Sequence, residues 1–184
     1  MALHEESVGK TNEWYTPPHV FEAFGTHFDM DVASPGGAVT PWIPTETWIT
    51  ADSLETAWRG FIWMNPPFGG RNGLLPWLRR FVVHGDGIAL VPDRTSAPWW
   101  QWFAPRTGLL LHVAPKLKFI DVNGEAQRSP PQGTTLCAIG PRGIAALVRA
   151  APKLGTLSIP IAPASASSCA ADLEPRCPAR PPAP

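Results

Sequence analysis

The sequence predicts an α/β protein with a mostly parallel sheet, helices on both faces of the sheet and an antiparallel hairpin near the C-terminus. Short apolar strands alternate along the chain with segments of helical periodicity, and the connections between them are short. The segment 87–93, GIALVPD, is apolar almost throughout, which is typical of a strand buried on both faces. The chain has 184 residues, 44% of them hydrophobic, which is enough for one domain and too little for two.

The N-terminal half predicts one helix followed by three short strands. The helix covers residues 17–26, where two prolines precede apolar residues at spacings of three and four. The strands are apolar or alternate apolar and polar residues, and they lie at 28–33, 47–50 and 61–65. A loop rich in Pro, Gly and Thr separates the first two strands. Ser53 is expected to be the N-cap of a short helix that precedes the third strand.

The C-terminal half predicts two helices and three further strands. One helix is predicted over residues 74–82, where the apolar side chains have helical spacing. The other begins with Ser96 as N-cap and has Pro98 in its first turn. The strands are apolar runs at 87–93, 109–115 and 134–141. Between the last two strands, Asn123-Gly124 is a strong hairpin signal.

Composition divides the chain into three parts. Residues 160–184 consist mainly of Ala, Pro and Ser and offer almost nothing to bury. We therefore expect a flexible N-terminus at 1–11, one folded domain at 12–155 and a disordered tail at 156–184.

Charge and cysteine usage exclude several classes of protein. Lys plus Arg and Asp plus Glu each total 15, so any nucleic-acid contact must come from a local patch. Cys137, Cys169 and Cys177 lack the spacing of a zinc site, and the histidines are scattered. No run of about 18 apolar residues occurs. We expect reduced thiols, no metal, no membrane segment and a cytoplasmic location.

The tetrapeptide Asn65-Pro66-Pro67-Phe68 is the most informative motif. A residue before proline stays extended, so Asn65 ends its strand, and neither proline has an N–H. The Asn65 amide oxygen and the Pro66 carbonyl could both accept hydrogen bonds from one amino group, while Phe68 stacks on a flat ring. The alternative is that the prolines only stop a strand and Phe68 fills the core.

Polar residues also follow several predicted strands. Asp31, Asp52, Asn65 and Asp93 lie at or just past strand ends. In open α/β sheets, ligands bind at the carboxyl ends of strands. The sequence therefore predicts a binding site at this edge.

In their shared order, these motifs resemble the phage-type DNA N6-adenine methyltransferase family. The motifs are Trp14-Tyr15-Thr16-Pro17-Pro18, Asp31-Val32-Ala33-Ser34 and Asn65-Pro66-Pro67-Phe68. The similarity also includes 51–54, 91–95 and 116–119, and it reaches about residue 140. One departure is Ser34-Pro35-Gly36-Gly37, which stands where methyltransferases usually have a glycine-rich cofactor loop.

The resemblance implies a Rossmann-like methyltransferase fold and S-adenosylmethionine as cofactor. It implies methyl transfer to N6 of a flipped adenine in DNA, in a phage or prophage setting such as restriction-modification. The implied cofactor-binding residues are Tyr15, Thr16, Pro17, Asp31, Ala33, Asp52 and Asn65. The implied catalytic residues are Asn65, Pro66, Pro67 and Phe68.

DNA is the expected partner, and four cations are candidates for contacting it: Arg71, Arg94, Lys116 and Lys118. For the two lysines, a solvated strand face is an equal alternative. Thr16 could be only a helix N-cap, and Asp93 could be only an ion-pair partner of Arg94. Other functions compatible with the motif are RNA, cytosine N4 or protein amine methylation, and a non-catalytic DNA-binding module.

Overall fold

The computed structural model describes residues 14–68, 73–121, 123–126 and 132–161. Within these residues, four α-helices cover Pro18–Phe24 (α1), Leu75–His84 (α2), Pro98–Phe103 (α3) and Pro141–Leu154 (α4). A 3₁₀ turn, Ala104–Arg106, follows α3. Six strands cover Met30–Asp31 (β1), Ile62–Met64 (β2), Gly87–Pro92 (β3), Leu109–Val113 (β4), Thr134–Ile139 (β5) and Gly155–Ser158 (β6).

The strands form one open mixed sheet in the order β1-β2-β3-β5-β4-β6. β1, β2 and β3 are parallel, whereas β5 is antiparallel to β3 and to β4. β4 therefore runs in the same direction as β1 to β3, and the carboxyl ends of these four strands share one edge of the sheet. We call it the carboxyl edge.

The expectation of a mostly parallel sheet was wrong, because three of the five strand pairings are antiparallel. The described residues between β4 and β5 contain no helix. A parallel pair needs a crossover connection, usually helical, so these consecutive strands pair antiparallel instead. The predicted antiparallel pairing in the C-terminal half is thus present.

Helices cover both faces of the sheet, as predicted. Every residue of β3 is buried, and its side chains alternate between two apolar clusters. Ile88 and Leu90 lie in the cluster that contains residues of α1 and α4. Ala89 and Val91 lie in the cluster that contains residues of α2 and α3. The apolar run of 87–93 is explained by this burial on both faces.

An aromatic cluster packs α1 against β2 and against the segment that leads into β1. Trp63 of β2 is 1% exposed, and its ring meets Phe21 edge-on at 5.0 Å. Phe61 stacks on Phe28 at 4.8 Å between centroids. Since Asn65 follows directly on β2, this packing also fixes where the NPPF motif begins.

Two elements expected before β2 are absent or reduced. Ser53 caps no helix; its hydroxyl donates to the Val32 carbonyl, and residues 52–56 form a turn. Of the strand expected at 47–50, only an isolated bridge between Trp48 and Asp31 forms. Residues 44–49 nonetheless run along β1 through backbone hydrogen bonds, so they cover its outer edge.

Two elements beyond β5 were not anticipated. α4 buries Gly143, Ala146, Leu147, Ala150 and Leu154 on one side, a helical spacing that the sequence does carry. β6 pairs with β4 over residues 155–158, so the folded unit extends past the boundary expected at 155. The remainder of the expected tail, from residue 162, lies outside the described residues, as does the flexible N-terminus expected at 1–11.

Candidate functional site

A buried carboxylate lies at the end of β1. Asp31 is 1% exposed, and its Oδ1 accepts a hydrogen bond from the Ala33 amide at 3.2 Å. Burial raises the pKa of Asp31 from its ordinary value of 3.8 to about 6, opposed by the Ala33 amide and the Ser34 hydroxyl. A carboxylate in this environment would gain from a cationic ligand, because pairing offsets the cost of its burial.

A second carboxylate, that of Asp52, lies in a turn attached to the end of β1. Ser53 binds the Val32 carbonyl through its hydroxyl, which ties the 52–56 turn to the end of β1. Asp52, just before it, is exposed and has a φ of 49°, in the left-handed region. Non-glycine residues seldom adopt this conformation, and they cluster at functional sites when they do.

Asn65 follows β2, and its amide orientation is determined by one hydrogen bond. Its Nδ2 donates to the Trp14 carbonyl at 2.8 Å. A carbonyl oxygen can only accept, so Nδ2 must face Trp14 and Oδ1 must face away from it. Pro66 is buried, and Phe68 is 38% exposed. The motif thus combines an acceptor that faces away from the strap with a partly exposed aromatic side chain.

Residues 14–17, which we call the strap, are attached to three parts of the domain. Tyr15 and Ile120 exchange two backbone hydrogen bonds of 2.9 Å, and the Trp14 carbonyl is held by Asn65. The Thr16 carbonyl accepts from the Trp42 indole at 2.9 Å. Asn65 therefore joins the strap to the end of β2.

The Thr16 side chain makes no hydrogen bond within the described part of the chain. Its hydroxyl is buried and has no hydrogen-bond partner there. It does not cap α1, whose N-cap is Pro17 with no side-chain hydrogen bond. The N-cap interpretation of Thr16 is therefore wrong. A buried hydroxyl without a partner is costly, so a ligand is an attractive partner for it.

Asp93, after β3, belongs to a hydrogen-bonded row across four strands. Its Oδ1 accepts from the Thr135 hydroxyl at 2.5 Å, so the Thr135 oxygen is left to accept from His112 Nδ1 at 3.2 Å. His112 Nε2 then accepts from the Ser158 hydroxyl at 2.8 Å. No pattern in the sequence indicates this row of hydrogen bonds, which connects β6 to the carboxyl edge.

Arg94 does not pair with Asp93. Its Nε donates to Gln132 Oε1 at 2.9 Å, and the residue is exposed just after β3. The ion-pair interpretation is thus replaced by an amide contact. Arg71 lies outside the described residues.

Lys116 and Lys118 follow β4 at the carboxyl edge. Both are exposed, whereas Leu117 and Phe119 between and after them are buried. The segment forms no regular strand, but the alternation expected from the sequence is present. The two lysines therefore point to the same, solvent-facing side.

The turn predicted at Asn123-Gly124 is confirmed. Gly124 has a φ of 80°, and its amide donates to the Asp121 carbonyl at 3.0 Å. Ile120 and Ala126 form an antiparallel bridge on either side of the turn. The turn is thus connected through Ile120 to the strap.

The structure brings most of the expected residues to one edge. The strap, Asp31, the Asp52 turn and Asn65 converge there through the contacts described above. Trp42 and Trp58 were missed as contributors, since only the high number of tryptophans, nine, set them apart in the sequence. Trp58 donates to the Ser53 carbonyl at 3.0 Å and to its hydroxyl at 3.1 Å.

Two surface grooves lie away from this edge. One, of about 590 Å³, is lined mainly by residues 54–58 and by α2. The other, of about 510 Å³, lies between α1 and the 42–44 segment. Both are open to solvent, and neither is lined by Asp31, Asp52, Asn65 or the strap, so we base the site on hydrogen bonding and burial.

No family model matches the chain, and neither a curated protein nor a solved structure shows significant similarity to it. Across the described ranges, none of the helices has the length and apolar character needed to cross a membrane. The same residues contain no group of three or more His, Cys, Asp or Glu side chains that could hold a metal ion.

Proposed function

We propose that the chain is an S-adenosylmethionine-dependent DNA adenine-N6 methyltransferase with a Rossmann-like methyltransferase fold. The observation that carries this proposal is the orientation of Asn65. Its Nδ2 is held by Trp14 and its Oδ1 faces away from the Trp14 carbonyl, at the strand end next to the one that bears the buried Asp31 carboxylate. An acceptor at the end of one strand and a buried carboxylate at the end of the next suit amine methylation, because an amine and a cationic methyl donor must be held side by side.

The residues at the end of β1 fit the cofactor chemically. S-adenosylmethionine carries an ammonium and a sulfonium, and Asp31 is a buried carboxylate that would gain from a cationic partner. Thr16 offers a buried hydroxyl for the methionine portion, and Asp52 an exposed carboxylate for the adenosine. When bound, the cofactor supplies an electrophilic methyl group.

The NPPF motif would hold the amine. Asn65 Oδ1 and the Pro66 carbonyl accept the two hydrogens of the adenine amino group, which directs the nitrogen lone pair toward the cofactor site. Phe68, 38% exposed, stacks on the base. Adenine must leave the helix to reach these groups, because N6 is not accessible inside a stacked duplex. Positioning of the two reactants is then the main source of rate.

DNA binding would rest on a local patch. Arg94, Lys116 and Lys118 are exposed and follow β3 and β4 at the edge that carries Asn65. Each lysine is suited to neutralise one phosphate.

Replacing both lysines by glutamate should therefore weaken binding to a DNA duplex and lower the salt dependence of binding. We expect the slope of log K against log[salt] to fall in magnitude by about 2. Fluorescence anisotropy of labelled DNA at several salt concentrations measures this. Arg59, exposed just before β2 and therefore at the opposite edge of the sheet, is the control position for a charge reversal. An unchanged slope would show that the lysines do not contact phosphates.

The proposed function is tested by incubating the protein with labelled S-adenosylmethionine and unmethylated DNA, RNA or protein in parallel. We expect label in DNA, recovered as N6-methyladenine after digestion. Label only in RNA or protein, or only at cytosine N4, would reassign the substrate. Cofactor binding without transfer to any substrate would support a binding module, and no cofactor binding by calorimetry would refute the proposal.

A further inference from the structure

We infer that Trp42 and Trp58 position the two sides of the cofactor site, each through its indole N–H. This inference rests on the proposed function. Neither tryptophan belongs to the motifs at the carboxyl edge, and neither needs to touch the cofactor. Each acts on a residue of the site through a hydrogen bond.

Trp42 acts on the strap. It is partly buried in the loop after β1, and its Nε1 donates to the Thr16 carbonyl at 2.9 Å. Thr16 is 1% exposed, so water cannot readily replace this donor. The hydrogen bond lies one residue from the Tyr15 and Ile120 pairing, which holds the strap at its other side. Trp42 therefore fixes the backbone that carries the unpartnered Thr16 hydroxyl.

Trp58 acts on the Asp52 turn. The residue is 8% exposed, and its Nε1 lies 3.0 Å from the Ser53 carbonyl and 3.1 Å from the Ser53 hydroxyl oxygen. The Ser53 hydroxyl in turn donates a hydrogen bond to the Val32 carbonyl at the end of β1. Asp52 precedes Ser53 and has the left-handed φ of 49°. Trp58 thus stabilises the strained turn that presents the Asp52 carboxylate.

The two tryptophans should affect different parts of the ligand. The strap is the proposed contact of the methionine portion, and Asp52 is the proposed contact of the adenosine. 5′-Methylthioadenosine keeps the adenosine and lacks the amino-acid portion. Comparing it with S-adenosylmethionine separates the two contributions.

The test uses Trp42→Phe and Trp58→Phe, which remove the indole N–H and keep an aromatic ring. For Trp42→Phe, we expect affinity for S-adenosylmethionine to fall about tenfold, with affinity for 5′-methylthioadenosine within about twofold of the native value. For Trp58→Phe, we expect both affinities to fall about tenfold. Calorimetry gives both values. Trp102→Phe is the matched control, since the Trp102 indole has no hydrogen-bond partner among the described residues and stacks on Arg106.

Amide hydrogen exchange of the ligand-free protein provides a second measurement. Trp42→Phe should speed exchange at Tyr15 and Ile120, which pair across the strap. Trp58→Phe should speed exchange at Glu55 and Thr56, whose amides donate to the Asp52 carbonyl at 2.9 and 3.0 Å. If Trp58→Phe does not fold, Ser53→Ala interrupts the same connection.

The outcomes separate the inference from the proposed function. The inference alone is refuted if the native protein binds S-adenosylmethionine and both variants match the control in ligand affinity and in amide hydrogen exchange. Equal losses for both ligands in Trp42→Phe refute the division of roles. Native protein that binds neither ligand refutes the proposed function, and the inference with it.

Discussion

Asn65→Ala is expected to lower the rate of methyl transfer at least about 100-fold, the loss typical of removing one positioned hydrogen-bonding group from an active site. The variant loses both Oδ1, the proposed acceptor of the amine, and the donor to the Trp14 carbonyl, so the amine and the strap both lose a contact. Its folding should suffer little, by about 1 kcal/mol for one partly buried hydrogen bond. Single-turnover methylation and thermal unfolding measure the two quantities.

Asn65→Asp tests the orientation argument. Aspartate has the same shape and keeps an acceptor, but it cannot donate to the Trp14 carbonyl, and its charge repels that oxygen. We expect a loss of rate similar to that of Asn65→Ala. Gln101→Ala is the control, because it removes an exposed amide that bonds only to the Thr95 carbonyl within the described residues. Activity within about tenfold of native in Asn65→Ala would contradict a catalytic role.

Asp31→Asn is expected to stabilise the ligand-free protein while removing cofactor binding. The raised pKa of Asp31 means that the native state holds this proton more tightly than the unfolded chain does. The contribution of Asp31 to the free energy of unfolding is therefore most favourable below pH 4. It falls as the pH rises toward 6 and stays low at higher pH. A change in pKa from 3.8 to about 6 corresponds to about 3 kcal/mol.

The variant should thus gain up to about 3 kcal/mol over the native protein at pH 7.5 and little at pH 4. Its neutral amide still accepts from the Ala33 amide and no longer pairs with a cationic ligand. Urea unfolding at the two pH values and calorimetry with S-adenosylmethionine measure these effects.

Asp52→Asn is the control for Asp31→Asn. Asp52 is exposed, and asparagine tolerates its positive φ, so unfolding should change by less than about 0.5 kcal/mol. If Asp31→Asn were less stable than the native protein at pH 7.5, the buried carboxylate would be a net stabilising group. In that case the proposal that Asp31 is a destabilising carboxylate that binds a cationic ligand would be wrong.

Much of the fold could be predicted from local sequence. The positions of α1, α2, α3 and of the strands β3, β4 and β5 follow from apolar periodicity and from prolines, which act over a few residues. The Asn123-Gly124 turn follows from glycine at a positive φ. α4 also has a signal in the sequence, namely the helical spacing of its buried residues.

The order of the strands could not be predicted in the same way. β5 lies between β3 and β4 because it pairs with both of them, and its pairing with β3 joins strands that are far apart in the sequence. β6 is a short edge strand with two exposed residues in its four, so its composition does not distinguish it from the tail. Such pairings depend on contacts distant in sequence, which local patterns do not contain.

By itself, the sequence determined that an Asn-Pro-Pro-Phe motif ends a buried strand and that acids follow neighbouring strands, because proline geometry and apolar periodicity are local. Only the tertiary structure decided how Asn65 is oriented, since its partner, Trp14, is 51 residues away along the chain. It alone decided that Asp31 is buried with a raised pKa, because burial depends on the neighbouring segments that cover β1. The bracing by Trp42 and Trp58 depends likewise on hydrogen bonds that form only when distant segments pack together.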